Sequence, residues 1–217
     1  MDEKRVLFIG NSHTYYNDMA NMFKMLCKAQ KNIPDTAVTM LASGGKTLDW
    51  HADQPETPFN ILYGDYDFTV LQQAAHPFGG KEEMMHGVNR LNEWISKTDS
   101  KIVAYMTWAE KRFPENQERM SRAYEEMADE LNCILAPVGR VWQSFRKENP
   151  DIELYDKDGE HASKSGSFLA ACTICKAIFK DKFSCDFSEI KENGGVPDEV
   201  AKDNAEKIFN HVTASVR

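Results

Sequence analysis

Short apolar runs alternate along the chain with longer stretches whose apolar residues recur every three or four positions. The runs lie at 5–10, 37–42, 67–72, 101–106 and 133–137 and are rich in Val, Ile, Leu and Phe. An unbroken run such as Val6-Leu7-Phe8-Ile9 suits a strand covered on both faces, as in a parallel sheet. The longer stretches at 18–31, 81–97, 115–131, 139–148 and 164–180 read as helices. In ENQERMSRAYEEMADEL, 115–131, one face is apolar and the other charged. Strand and helix in alternation predict an α/β fold, a parallel sheet with helices on both sides and right-handed crossovers. Residues 184–217 differ. SCDFSEIKENGGVPDEV is polar and interrupted by Gly194, Gly195 and Pro197, and a last helix is expected at about 198–214. This segment is read as a helical appendage on the edge of one domain spanning 1–217.

Composition narrows the function classes. A chain of 217 residues, 41% hydrophobic and 28% charged, can bury a sizeable core. A net charge of -8 argues against nucleic acid as a partner, because phosphate binding requires a basic face. No apolar run approaches the ~20 residues of a membrane span, so no membrane partner is expected. The N-terminus MDEKRVLF enters a strand without a signal-peptide core. The expectation is a cytoplasmic protein, unless a leader was removed. Five cysteines, Cys27, Cys133, Cys172, Cys175 and Cys185, form no dense framework and suit reduced thiols. Cys172 and Cys175 make a CxxC, but within the apolar run SFLAACTICKAIF, so core packing is the reading for both.

Two loops carry candidate chemistry. The first apolar run ends at Gly10-Asn11-Ser12-His13, and a helical pattern follows. A serine there sits at the carboxyl edge of the sheet, where open α/β folds bind ligands. Near the other end, LYDKDGEHASKSGSFLAA places Asp158 three residues before His161, in a loop before a helix with Ser163 or Ser165 as N-cap. A serine nucleophile needs a base for its proton and a carboxylate to orient that base. Such a loop can present both.

Together, Gly10-Asn11-Ser12, Ser43-Gly44-Gly45 and Asp158-Gly159-Glu160-His161 resemble three of the four blocks of the SGNH/GDSL hydrolases, over residues 5 to about 180. The resemblance implies a three-layer α/β/α sandwich, flavodoxin-like, with five parallel strands in the order 2-1-3-4-5. It implies Ser12 as nucleophile, His161 as general base and Asp158 as its orienter, with Asp156 as a competing carboxylate. The backbone N–H of Ser12 and that of Gly45, with Gly44 as alternative, would bind the oxyanion. The family's Gly-x-Asn-Asp block is not present after the third strand; the chain reads Thr69-Val-Leu-Gln-Gln-Ala-Ala-His-Pro77. Gln72 is the expected replacement donor, followed by His76 and then Gln73. His13, His51 and Trp108 are expected to line the substrate site.

The function so implied is hydrolysis of small-acyl esters, acetyl above all, with an acylated carbohydrate as a candidate substrate. Neither cofactor nor metal is called for, since the six histidines form no HxH or HExxH pair. Two other readings are a flavodoxin-like protein holding a phosphate or nucleotide on the GNSHT loop, and a non-catalytic carbohydrate-binding relative. The oligomeric state is not legible.

Overall fold

In the computed structural model, which describes residues 2–216, five strands make one sheet. They are β1 (Lys4–Gly10), β2 (Thr36–Ala42), β3 (Phe68–Leu71), β4 (Lys101–Tyr105) and β5 (Ile134–Ala136). Their order is β2-β1-β3-β4-β5, and every neighbouring pair is parallel. This is the expected topology. The edge strand β2 is mostly half-buried, while Val6–Gly10 of central β1 is wholly buried.

Ten α-helices surround the sheet: α1 (Ser12–Tyr15), α2 (Met19–Lys28), α3 (Leu48–Ala52), α4 (Glu56–Tyr63), α5 (Lys81–Ile95), α6 (Asn116–Leu131), α7 (Val138–Glu148), α8 (Lys164–Phe179), α9 (Phe187–Glu192) and α10 (Lys202–Ser215). Successive strand side chains point to opposite faces, so β1 divides the core in two. Val6 and Phe8 join Phe23 of α2, Trp142 of α7, Phe168 of α8 and Phe209 of α10. Leu7 and Ile9 join Leu48 of α3, Ile61 of α4, Val88 of α5 and Met127 of α6. The result is the three-layer sandwich. Among the described residues, no helix is long and apolar enough to cross a membrane.

α8 is apolar nearly all round because it lies between the sheet and α10. Its Cys172 and Cys175 are fully buried, and Cys27 Sγ lies 3.7 Å from Cys175 Sγ. Burial pushes both α8 thiols well above the ordinary cysteine range. The CxxC is core packing, as its apolar setting implies.

Local structure departs from the sequence pattern in two places. The helix expected at 18–31 is preceded by α1 and a 3₁₀ turn, Tyr16–Asp18, because Asn17 and Asp18 turn left-handed at φ 53° and 54°. Asn and Asp tolerate that conformation better than other non-glycine residues. The β2–β3 connection carries two helices that periodicity does not reveal. Both are short, and α3 is capped by Thr47, whose side chain accepts the Trp50 N–H at 3.2 Å.

α8 approaches its neighbours through Gly166. A Cβ there would lie 2.2 Å from the Leu154 carbonyl oxygen and 2.5 Å from the Trp142 ring. Gly166→Ala is therefore expected to lower stability by about 1–3 kcal/mol through overpacking, although the same change in an open helix stabilises. Urea unfolding reads the sign directly, and a stabilised variant would contradict this packing.

Candidate active site

The first half of the site is built where β1 meets α1. Gly10 leaves room for Gln72: a Cβ on Gly10 would lie 2.5 Å from Gln72 Oε1 and 2.4 Å from Thr14 Oγ1. Gln72 Oε1 accepts the Asn11 N–H at 2.8 Å and the Thr14 hydroxyl at 3.0 Å. The Asn11 side chain accepts the His13 N–H at 3.1 Å and donates to the Lys46 carbonyl at 3.2 Å, tying this turn to the glycine loop after β2. Ser12 opens α1 and is partly exposed.

The second half is a small hairpin before α8. Tyr155 and Ala162 form an antiparallel bridge, and the Asp156 N–H donates to the His161 carbonyl at 2.8 Å. Gly159 turns the hairpin at φ 72°. Three contacts dock it: Lys111 N–H to the Gly159 carbonyl at 2.8 Å, Trp108 Nε1 to the Glu160 carbonyl at 2.9 Å, and Asn17 Nδ2 to the Ala162 carbonyl at 2.8 Å. Ser163 caps α8 by accepting the Gly166 N–H at 3.2 Å.

The halves meet at His161. Its Nε2 lies 2.8 Å from Ser12 Oγ and its Nδ1 lies 2.6 Å from Asp158 Oδ2. Asp158 Oδ1 accepts the N–H groups of Glu160 and His161, both at 2.9 Å. Partial burial pushes the Asp158 carboxyl up, but the Glu160 N–H, the His161 ring and the His161 N–H outweigh it and bring its pKa down to about 2. With Asp158 ionised, the imidazole carries its proton on Nδ1 and offers a lone pair from Nε2 to the serine hydroxyl. Asp156, the competing carboxylate, holds the hairpin through its backbone, while Asp158 makes the side-chain contact to the imidazole.

Two rings flank His161. Tyr16 stacks on it at 4.4 Å with 20° between planes, and His13 stacks at 5.3 Å and 28°. Burial, together with His76 and His161 nearby, holds His13 well below the ordinary histidine range, so it stays neutral. Tyr16 and Asn17 escaped the sequence reading. Their signal was the Asn-Asp pair that interrupts the helix pattern and turns both toward the hairpin.

Comparison with solved structures gives matches at probability 1.00. A candidate SGNH hydrolase from Slackia heliotrinireducens superposes with a TM-score of 0.70 at 26% identity, over 82% of this chain and 100% of that one. A DUF4886 family protein from Bacteroides uniformis gives 0.70 at 17%, over 99% and 95%. A mutant of an acetyl-xylooligosaccharide esterase from Geobacillus gives 0.62 at 14%, over 82% and 94%. No protein-family model and no curated protein matches the chain. The protein has an SGNH/GDSL-hydrolase-like fold.

Within this SGNH-like fold the loop after β3 departs from expectation. Gln72 is not poised above Ser12: its oxygen holds Asn11 and Thr14, and its Nε2 donates to the Gln73 carbonyl at 2.5 Å. Gln73 accepts the Leu48 N–H at 3.0 Å and donates to Glu83 at 3.0 Å. His76 Nε2 lies 3.1 Å from the Trp108 carbonyl, to which it donates, and its ring packs edge-on against His13 at 4.8 Å. All three candidate donors thus have structural work that sequence position could not disclose. Among the described residues, the N–H groups of Ser12, Gly44 and Gly45 have no acceptor. Gly45 requires glycine for its φ of 69°, whereas the space its Cβ would fill is open.

The three residues expected to line the substrate site are also buried. Trp108 is 1% exposed, stacks on Trp142 at 4.1 Å, and spends its N–H on the hairpin. His51 is 3% exposed, with Nε2 2.7 Å from the Gly10 carbonyl. His13 lies behind His161 rather than at the surface. Each is a polar aromatic used to brace a loop, so none offers a face to a sugar ring. Among the described residues, no group of three His, Cys, Asp or Glu side chains is arranged to hold a metal ion.

Gln72→Ala would strand the buried Asn11 N–H. The expected cost is about 1–3 kcal/mol of stability, seen as a lower urea midpoint. An unchanged midpoint would refute the bracing role.

Proposed function

We propose that this protein is a serine hydrolase of carboxylic esters, with Ser12 as nucleophile, His161 as general base and Asp158 as its orienter. The observation that carries the reading is the continuous hydrogen-bond chain, 2.8 Å from Ser12 Oγ to His161 Nε2 and 2.6 Å from His161 Nδ1 to Asp158 Oδ2. A phosphate-cradling loop would leave that chain without a use.

Ser12 Oγ passes its proton to Nε2 as it attacks the ester carbonyl, and the imidazolium that forms is paired with the Asp158 carboxylate. The oxyanion is bound by backbone N–H groups, those of Ser12 and Gly45, with Gly44 as the alternative second donor. Collapse expels the alcohol, which takes the proton from Nε2. Water then repeats the sequence on the acyl-enzyme. The SGNH-like fold of the chain and its likeness to a candidate SGNH hydrolase support this reading. Small acyl groups, acetyl above all, are the proposed substrates. An acylated carbohydrate draws no support from Trp108, which is buried.

Purified wild-type protein is expected to hydrolyse p-nitrophenyl acetate faster than the octanoate. Ser12→Ala should lose about 10⁴-fold or more in turnover with its fold intact, and a sulfonyl fluoride should label Ser12 and not the variant. Wild-type turnover by Ser12→Ala would overturn the assignment.

The pH dependence follows from Asp158. Its pKa is lowered, so the carboxylate persists as pH falls until about 2. Protonation of Asp158 should therefore contribute nothing to any loss of kcat/KM above about pH 4, the ordinary carboxylate range. A loss of kcat/KM that tracks Asp158 protonation in that ordinary range, read by its absence in Asp158→Asn, would contradict the lowered pKa.

A further inference from the structure

A cavity of about 300 Å³ lies between the loop after β3 and the loop after β4, separated from the His161 ring by His76 and His13. Its walls include His76, Phe78, Glu110, Arg112, Phe113 and Arg119. His76 links it to the triad, since its ring touches His13, which stacks on His161. The loop after β4 forms the other link: Lys111 holds the Gly159 carbonyl, and Arg112 lies 3.7 Å from Glu160, the residue before His161. A volume of this size suits one ring-sized group.

The two arginines in its wall differ. Arg112 is neutralised by Glu110 at 3.0 Å and by Glu160 at 3.7 Å, and it lies over the Phe113 ring at 5.1 Å. Among the described residues Arg119 has no carboxylate within ion-pair distance, although its helix neighbour Arg122 is paired with Glu118. Arg119 lies over the Phe78 ring at 5.9 Å and reaches the Gly79 carbonyl at 3.5 Å. Gly80 makes this position accessible: it sits at φ 105°, and a Cβ there would lie 2.7 Å from Arg119 Nη2. The loop thus seats a guanidinium, with donors to spare, at the wall of a cavity that also presents aromatic faces. Guanidinium forks bind carboxylates and phosphates, and aromatic faces bind flat rings.

Resting on the esterase reading, we infer that this cavity receives the alcohol portion of the substrate, and that this portion is a ring bearing an anionic group bound by Arg119. A small acyl group on Ser12 leaves the alcohol as the part large enough to extend toward His76 and Arg119.

The test compares 4-acetoxybenzoate with its uncharged methyl ester. The charged ester should be preferred by roughly tenfold in kcat/KM, the factor that one charge-assisted hydrogen bond supports. Arg119→Gln should bring the ratio of the two close to one, and added salt should reduce the wild-type preference. Calorimetry with 4-hydroxybenzoate supplies a readout independent of turnover. It should bind wild-type protein and bind Arg119→Gln at least tenfold more weakly, while an unchanged urea midpoint excludes unfolding as the cause. A preference that survives in Arg119→Gln, or equal 4-hydroxybenzoate binding by the two proteins, would overturn the inference. Failure to hydrolyse either ester would overturn the esterase reading, and the calorimetry would still decide whether Arg119 binds the anion.

Discussion

The carboxamide of Gln72, pressed against Gly10, is the contact on which the site depends. β1 and β3 are neighbours in the sheet, and at their carboxyl ends only a glycine lets the two chains come this close. One oxygen then accepts from both Asn11 and Thr14, so the turn that carries Ser12 is held from below. A buried N–H without a partner would cost as much as several ordinary contacts supply. The Ser12 turn is therefore rigid without a long helix beneath it, and Asn11 transmits that rigidity to the glycine loop through Lys46.

The His161 hairpin is fixed in a complementary way. Its backbone carbonyls at Gly159, Glu160 and Ala162 each receive a donor, from Lys111 and Trp108 of the loop after β4 and from Asn17 of the turn after α1. Three anchors from two segments leave the imidazole little freedom of position, and Tyr16 with His13 limits rotation of the ring. Preorganisation of this kind is what lets a weak nucleophile act, because the base need not be gathered at the moment of reaction.

Bracing consumes polar aromatic and amide groups that otherwise look like substrate contacts. Trp108, His51, Gln72 and Gln73 lie near the sheet's carboxyl edge, and all are buried with their main polar groups committed. What lines the cavity between the loops after β3 and β4 is a different set, Phe78, Arg112 and Phe113 on the loops and Arg119 on α6.

The sequence alone determined the sheet, because strands covered on both faces must be apolar throughout and helices between them must show a 3.6-residue period. It also pointed to Ser12, Asp158 and His161, since a short loop before a helix can pair a carboxylate with an imidazole three residues away, a local relation. Short helices such as α3 and α4 escaped it, being too brief to display a period. The functions of Gln72, His76 and Trp108 were decided only by tertiary structure. A side-chain amide, ring nitrogen or indole N–H bonds to whatever the fold brings within 3 Å or so. For these residues the partners are Asn11, the Trp108 carbonyl and the Glu160 carbonyl, which lie 61, 32 and 52 positions away in the chain.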